Sequence, residues 1–222
     1  MVGAPVSELY ARRHAVAGVE LHCRTAVAEL VGAKRVTAVR AADGREFPCD
    51  LVVVGIGVVP NVELAAAAGL ECANGILVDE HASTADPLVL AAGDCTSHWL
   101  PLYGRRVRLE SVANAIHQAK VAAATILGAP TPYSEAPWFW SDQYDLKLQI
   151  AGLSDGFEEL VVRGAPESSA FAVYYLRGGV IIAVDAINSP REFMSARKLV
   201  AARRTVPRAV LADAATDLAA LA

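Results

Sequence analysis

The sequence has only four cysteines, Cys23, Cys49, Cys72 and Cys95, and none forms a CxxC pair. That spacing argues against a zinc site, an iron–sulfur cluster and a dithiol redox centre within the chain, and no metal is expected. Four reduced, mostly buried thiols are expected instead. Excess charge is also scarce. Twenty basic residues against 24 acidic ones leave a formal net charge of −4, which gives no electrostatic reason to expect nucleic acid. No apolar run is long enough to span a bilayer; the densest, Leu51 to Val59, is strand-sized and interrupted by glycines. Met1 to Tyr10 lacks the basic region and long apolar stretch of a secretory signal, so a soluble cytoplasmic chain is the expectation. The five histidines are scattered, and no Ser/His/Asp or Cys/His arrangement emerges. Internal repeats are absent, and no GxGxxG fingerprint occurs.

What is present is material for a core. The chain has 222 residues, 54% hydrophobic and 20% charged, enough for one sizeable domain or two small ones. Val6 to Val16 reads as a helix closed by Gly18. Extended stretches are expected from Val19 to Leu21, Ala26 to Val31, Arg35 to Ala41 and Glu46 to Gly55, with a hairpin turn at Asp43-Gly44. Leu51 to Val54 is apolar at every position, which suits a strand buried on both faces. A short helix over 61–69 and strands over 75–79 and 88–92 follow. Ser111 to Leu127 has an apolar stripe of Val112, Ala115, Ile116, Ala119, Ala123, Ile126 and Leu127 and stops at Gly128, so it reads as a helix with that stripe inward. Pro130, Pro132 and Pro137 mark a linker. Beyond it, strands over 147–152, 158–163, 170–176 and 180–187, a turn at Arg177-Gly178-Gly179, a helix over 192–203 and a helical alanine-rich tail make a small α+β unit.

Four segments carry chemistry. Val52 to Asn61 runs an apolar strand into Gly55-Ile56-Gly57, the place where ligands of open α/β sheets bind; a tight turn without a ligand reads the same way. Leu88 to Asp94 delivers Gly93-Asp94 at the end of a stretch, where a carboxylate can accept hydrogen bonds from polyol hydroxyls or serve as a turn or cap. Arg105-Arg106-Val107-Arg108-Leu109-Glu110-Ser111-Val112 opens the long helix. Its N-terminus favours negative charge, with Ser111 as a cap, and its three arginines suit either a docking patch or a solvated surface. Pro137-Trp138-Phe139-Trp140 is an aromatic cluster suited to a small domain's core.

Taken together, VVVGIGVVPN, LAAGDC, YGRRVRLESVANAIHQAK, PWFWSDQYDLKLQIAGL and AVDAINSPREFMSARKL, in this order, resemble the NADH-dependent, FAD-containing ferredoxin reductases of bacterial oxygenase systems. These are the putidaredoxin, rhodocoxin and biphenyl dioxygenase reductase type of the pyridine nucleotide-disulfide oxidoreductase superfamily. The likeness covers essentially the whole chain. It implies an α/β fold: part of a flavoprotein with two dinucleotide-binding domains (an FAD/NAD(P)-binding fold), followed by a small α+β C-terminal domain. Residues 1–70 would be the rear of the NAD-binding domain, 71–129 the returning segment of the FAD-binding domain, and 130–222 the C-terminal reductase domain.

The resemblance further implies that Asp94, beside Gly93, binds the FAD ribityl chain. Ser111 and Val112 would present backbone to the flavin pyrimidine edge, and Trp140 would sit by the flavin on the electron route. Gly55, Ile56 and Gly57 would line the NADH pocket, with Glu110 on the nicotinamide side. The cofactors would be FAD and NAD(H), and the partner a [2Fe-2S] ferredoxin docking near Arg105, Arg106, Arg108 and Trp140. No acid–base residue is required for the hydride step. The two glycine-rich loops that the family uses for FAD and NAD, and its early lysine and glutamate near the flavin, are not found here. The expectation is therefore an N-terminally truncated chain. Its alternatives are a non-catalytic remnant or subunit that only docks a ferredoxin or a companion chain, self-association, or an enzyme with rubredoxin as acceptor.

Overall fold

A computed structural model describes residues 2–221. The chain divides into two compact units, Tyr10–Val59 and Met1–Leu9 together with Pro60–Ala222. The first helix, α1 (Ala4–Val16), ends where Gly18 adopts a φ of +82°. There Gly18 N–H donates to Ala15 O and Val19 N–H to His14 O, the paired bonds of a Schellman closure.

The Tyr10–Val59 unit holds one antiparallel sheet, β1 (Val27–Val31), β2 (Ala38–Ala41) and β3 (Glu46–Pro48), in that order. Arg40 on the central strand pairs with Glu29 and Glu46 on its two neighbours. Asp43-Gly44 makes the expected turn, with Gly44 at a φ of +88°. Two expected strands do not form. Val19 to Leu21 is irregular, and so is everything from Leu51 to Val59. Leu51, Val53, Ile56 and Val59 are 79%, 87%, 92% and 86% exposed. A strand apolar on every residue needs neighbours on both edges and cover on both faces, and this segment joins none of the described sheets.

In the larger unit α2 (Glu63–Ala67) precedes a four-stranded sheet of β4 (Cys72–Ala73), β5 (Gly75–Val78), β6 (Thr96–Leu100) and β7 (Arg105–Val107), adjacent in that order, with β5 and β6 parallel. The strand expected over 88–92 is reduced to a single bridge between Leu90 and Ser83. Helix α3 (Val112–Ile126) follows. Five antiparallel strands then build the main core: β8 (Trp138–Gln143), β9 (Leu146–Gly152), β10 (Glu159–Ala165), β11 (Ala170–Arg177) and β12 (Val180–Ile187), arranged β10-β11-β12-β9-β8. Gly178 and Gly179, at φ of +56° and +75°, close the two-residue turn between β11 and β12.

Helix α4 (Pro190–Ala201) and the short α5 (Arg208–Ala212) complete this region. Tyr174, Leu176, Val184 and Ala186 on one sheet face pack with Phe193, Ala196, Leu199 and Leu211, all buried. On the other face Tyr175 donates its hydroxyl proton to buried Asp185 and accepts from Gly3 N–H at 2.6 Å. Burial pushes the Asp185 carboxyl up to about 6. Arg163, buried, binds Glu192 at 2.9 Å and the carbonyl oxygens of Leu211, Asp213 and Thr216, which pins the chain after α5. Among the described residues no helix is long and apolar enough to cross a membrane.

Candidate functional site

Gly93-Asp94 forms a turn that feeds directly into β6. Gly93 sits at a φ of +89°, a region that disfavours side chains, and its carbonyl accepts from Thr96 N–H at 3.1 Å and from Thr96 Oγ1 at 2.8 Å. The Asp94 carboxylate is exposed and engages no described residue. The turn reading is therefore correct for the backbone, while the carboxylate itself stays available to a ligand.

Ser111 caps α3. Its backbone is extended (φ −151°, ψ 146°), and its Oγ accepts from Asn114 N–H at 3.2 Å. The N–H groups of Val112 and Ala113 lie in the first turn, where a helix leaves donors without internal acceptors and presents a partial positive charge. The stripe expected to face the core is turned outward. Val112, Ile116, Ile126 and Leu127 are exposed, whereas Ala113, Asn114, Gln118 and Val121 are buried. Two polar side chains at i and i+4 take the inner face because each has partners there. Asn114 Nδ2 donates to Leu109 O at 3.0 Å, and Gln118 Oε1 accepts from Gly93 N–H at 2.6 Å. The Gly93-Asp94 turn and α3 are thereby joined. Behind them His98 is 1% exposed, and burial aided by the Arg106 guanidinium pushes its ring down to about 4.

A cleft of about 420 Å³ opens beside the start of α3, lined among others by Arg108, Glu110, Ser111, Trp138, Phe139 and Asp155. One wall, residues 152–155, is held by Tyr103. Its hydroxyl accepts from Leu153 N–H at 2.8 Å and donates to Ile182 O at 2.7 Å. Gly152, at a φ of +80°, is required there, because a Cβ would lie 2.2 Å from Ile182 O. The three arginines already have partners. Arg105 pairs with Asp155 at 2.7 Å, Arg106 donates to Val78 O and Ser97 O, and Arg108 binds Asn74 and Glu110.

Trp138 is half-buried, with the Arg197 guanidinium 5.3 Å from its ring centre and Trp140 at 5.6 Å. Trp140 is 45% exposed and does not line the cleft. Gly55, Ile56 and Gly57 lie in the Tyr10–Val59 unit as exposed, irregular chain, with Gly57 at a φ of +100°. None of the cysteines is disulfide-bonded, and contrary to expectation none is buried. Sequence reading missed Gln118, His98 and Tyr103, and took Phe139 only as part of an aromatic core cluster.

Comparison with known proteins agrees with this layout. The model of the pyridine nucleotide-disulphide oxidoreductase family matches residues 1–119, and that of the reductase C-terminal domain matches 138–222. The chain is 44% identical to the probable ferredoxin reductase CtmF of Castellaniella defragrans, covering 100% of this chain and 55% of that protein. It is 43% identical to putidaredoxin reductase CamA of Pseudomonas putida, covering 96% and 51%. Among solved structures, the ferredoxin reductase for the CYP199A2 system from Rhodopseudomonas palustris superposes with a TM-score of 0.96 at 40% identity, over 100% of this chain and 55% of that one. Putidaredoxin reductase in its covalent complex with putidaredoxin gives 0.93 at 42%, over 98% and 53%. The chain spans about half the length of the curated relatives it matches.

Proposed function

Because the chain belongs to the pyridine nucleotide-disulphide oxidoreductase family, we propose that it is the flavin-facing and acceptor-facing part of a reductase that passes electrons from NADH through FAD to a [2Fe-2S] ferredoxin. The observation that carries this reading is that one buried side chain, Gln118, ties the turn bearing the exposed Asp94 to α3, the helix that opens at the Ser111 cap. The residues fit FAD at two points. Asp94 would accept charge-assisted hydrogen bonds from ribityl hydroxyls, with Gly93 letting the backbone approach. Val112 N–H, beside the Ser111 cap, would meet the pyrimidine edge and stabilise negative charge there. The 222 residues contain no glycine-rich pyrophosphate loop.

FAD, when bound, supplies hydride acceptance from NADH and release of single electrons. The chain's own residues bind, orient and shield. Gly55, Ile56 and Gly57 would line the NADH pocket, with Glu110 on the nicotinamide side, held by Arg108. Trp140, stacked on Trp138 and half-exposed, would mark the exit towards the ferredoxin. Docking would centre on Trp140, Arg105 and Arg106, both arginines being exposed, whereas Arg108 is mostly covered and held by Asn74 and Glu110. The domain division at 70 and 129, and a cytoplasmic site of action, belong to this proposal.

In protein purified from its own cells, NADH should bleach the flavin absorption bands and support reduction of a [2Fe-2S] ferredoxin. Trp140→Ala should slow ferredoxin reduction more than flavin reduction by NADH. Equal effects on both steps would count against the exit route, and absence of NADH-dependent reduction would overturn the reading. A second reading, a non-catalytic subunit that docks a ferredoxin or a companion chain, is favoured by the exposed apolar segment from Leu51 to Val59. Ferredoxin binding without electron transfer in the same assay would select it, and transfer to rubredoxin would change only the acceptor.

A further inference from the structure

Gln118 lies in the second turn of α3 and is 2% exposed. Its Oε1 is within hydrogen-bond distance of three groups: Gly93 N at 2.6 Å, Thr96 Oγ1 at 2.8 Å and Asn114 Nδ2 at 3.4 Å. Its Nε2 lies 3.0 Å from His98 Nδ1. A backbone N–H can only donate, so the group facing Gly93 must be the oxygen, and the amide orientation follows. Gln118 Nε2 therefore donates to His98 Nδ1, and the neutral ring carries its proton on Nε2. That nitrogen and Asn114 Oδ1 are buried without partners among the described residues.

Gly93 N–H and His98 Nδ1 thus fix the polarity of the amide, while the single Thr96 hydroxyl proton is shared between Gln118 Oε1 and Gly93 O, and among the described residues Gly93 N–H has no other acceptor. Without Gln118 the turn keeps only its internal bonds from Thr96 to Gly93 O, which do not reach α3. Asn114, one turn earlier, ties the same helix to Leu109 and so to the approach to Ser111.

We propose that Gln118 is the positioning residue of the flavin site: it locks the Gly93-Asp94 turn to α3, so that the carboxylate and the helix N-terminus keep one fixed separation. This inference rests on the flavin reading above. Two variants of the full chain separate positioning from bulk stability. Gln118→Met removes both the acceptor and the donor. Gln118→Glu keeps an acceptor for Gly93 N–H and Thr96 but cannot donate to His98. Both should lower the melting temperature. FAD affinity should fall about tenfold in Gln118→Met, the value of one hydrogen bond, and stay within about threefold of wild type in Gln118→Glu. Affinity that simply follows melting temperature in both variants would overturn the proposal.

NMR of the unmodified chain decides the matter even if neither variant folds or no flavin binds. A His98 ring protonated at Nε2 and a slowly exchanging Gly93 amide are expected. An Nδ1-protonated ring or a rapidly exchanging Gly93 amide would show that Gln118 does not hold the turn, whereas loss of flavin binding with both signals intact would fault only the flavin reading.

Discussion

Two apolar runs in this chain meet opposite fates. Residues 180–187 form β12, flanked by β11 and β9 and backed by α4, and Ile181, Val184 and Ile187 have no exposed surface. Residues 51–59 are at least as apolar, yet Val53 is 87% and Ile56 92% exposed. The difference lies in what the chain supplies around each run. Strand β12 has hydrogen-bonding neighbours on both edges, while 51–59 joins no strand of the described sheets. Hydropathy marks a segment as fit for burial; only partners bury it.

The comparison breaks most visibly through a matched pair of substitutions. Val184→Asp places a carboxylate where exposure is zero and should cost more than about 4 kcal/mol, enough to unfold the C-terminal region. Val53→Asp should change the stability of this chain by less than about 0.5 kcal/mol. Chemical denaturation of both variants checks this, and equal costs would show that 51–59 is packed after all.

A smaller effect is expected at Arg163, whose guanidinium joins β10 to α4 and to the chain after α5. Arg163→Leu removes the donor to the carbonyl oxygens of Asp213 and Thr216 and leaves the partly buried Glu192 with the Tyr174 hydroxyl but no arginine, and should cost about 3 kcal/mol. Limited proteolysis should then cut first between Leu211 and Thr216. Cleavage elsewhere would mean that this arginine does not hold the tail.

The smallest expected effect is on pH dependence, where two buried groups act in opposite senses. Unfolded His98 takes up a proton near pH 6.5, but the folded ring resists until about 4. Its stabilising contribution is therefore complete above 6.5 and is lost as pH falls towards 4. Asp185 is protonated up to about pH 6 in the fold against 3.8 when unfolded. Its contribution is complete below 3.8 and is lost as pH rises towards 6. Asp185→Asn should raise stability above pH 6, on the order of 1 kcal/mol, relative to its effect at pH 4. Urea midpoints at the two pH values measure it, and an equal shift at both would contradict the buried, protonatable carboxyl.

Much of the C-terminal region was legible because its signals are local. The β-branched and aromatic residues of β11 and β12, the Gly178-Gly179 turn and the proline-led α4 each specify structure within a few residues. The strand expectation for 51–54 failed because burial on two faces is a property of neighbours. The inward face of α3 was misread for a related reason. Asn114 and Gln118 are inside because Leu109, Gly93 and His98 bind them, and no periodicity reveals that. Of the proposed site, Asp94, Ser111 and Glu110 take their roles from the family resemblance. The cleft's other walls, Phe139 on β8 and the segment after β9 held by Tyr103, belong to the C-terminal sheet and reach the start of α3 only through the fold.

The joined Asp94 turn and α3 N-terminus are the centre of the account, and FAD affinity tests them most directly. Titrating FAD into the protein and its Asp94→Ala variant, followed by flavin fluorescence, should show affinity reduced roughly ten- to hundredfold by the loss of a charge-assisted hydrogen bond. Undiminished affinity in Asp94→Ala would contradict the placement of the flavin site.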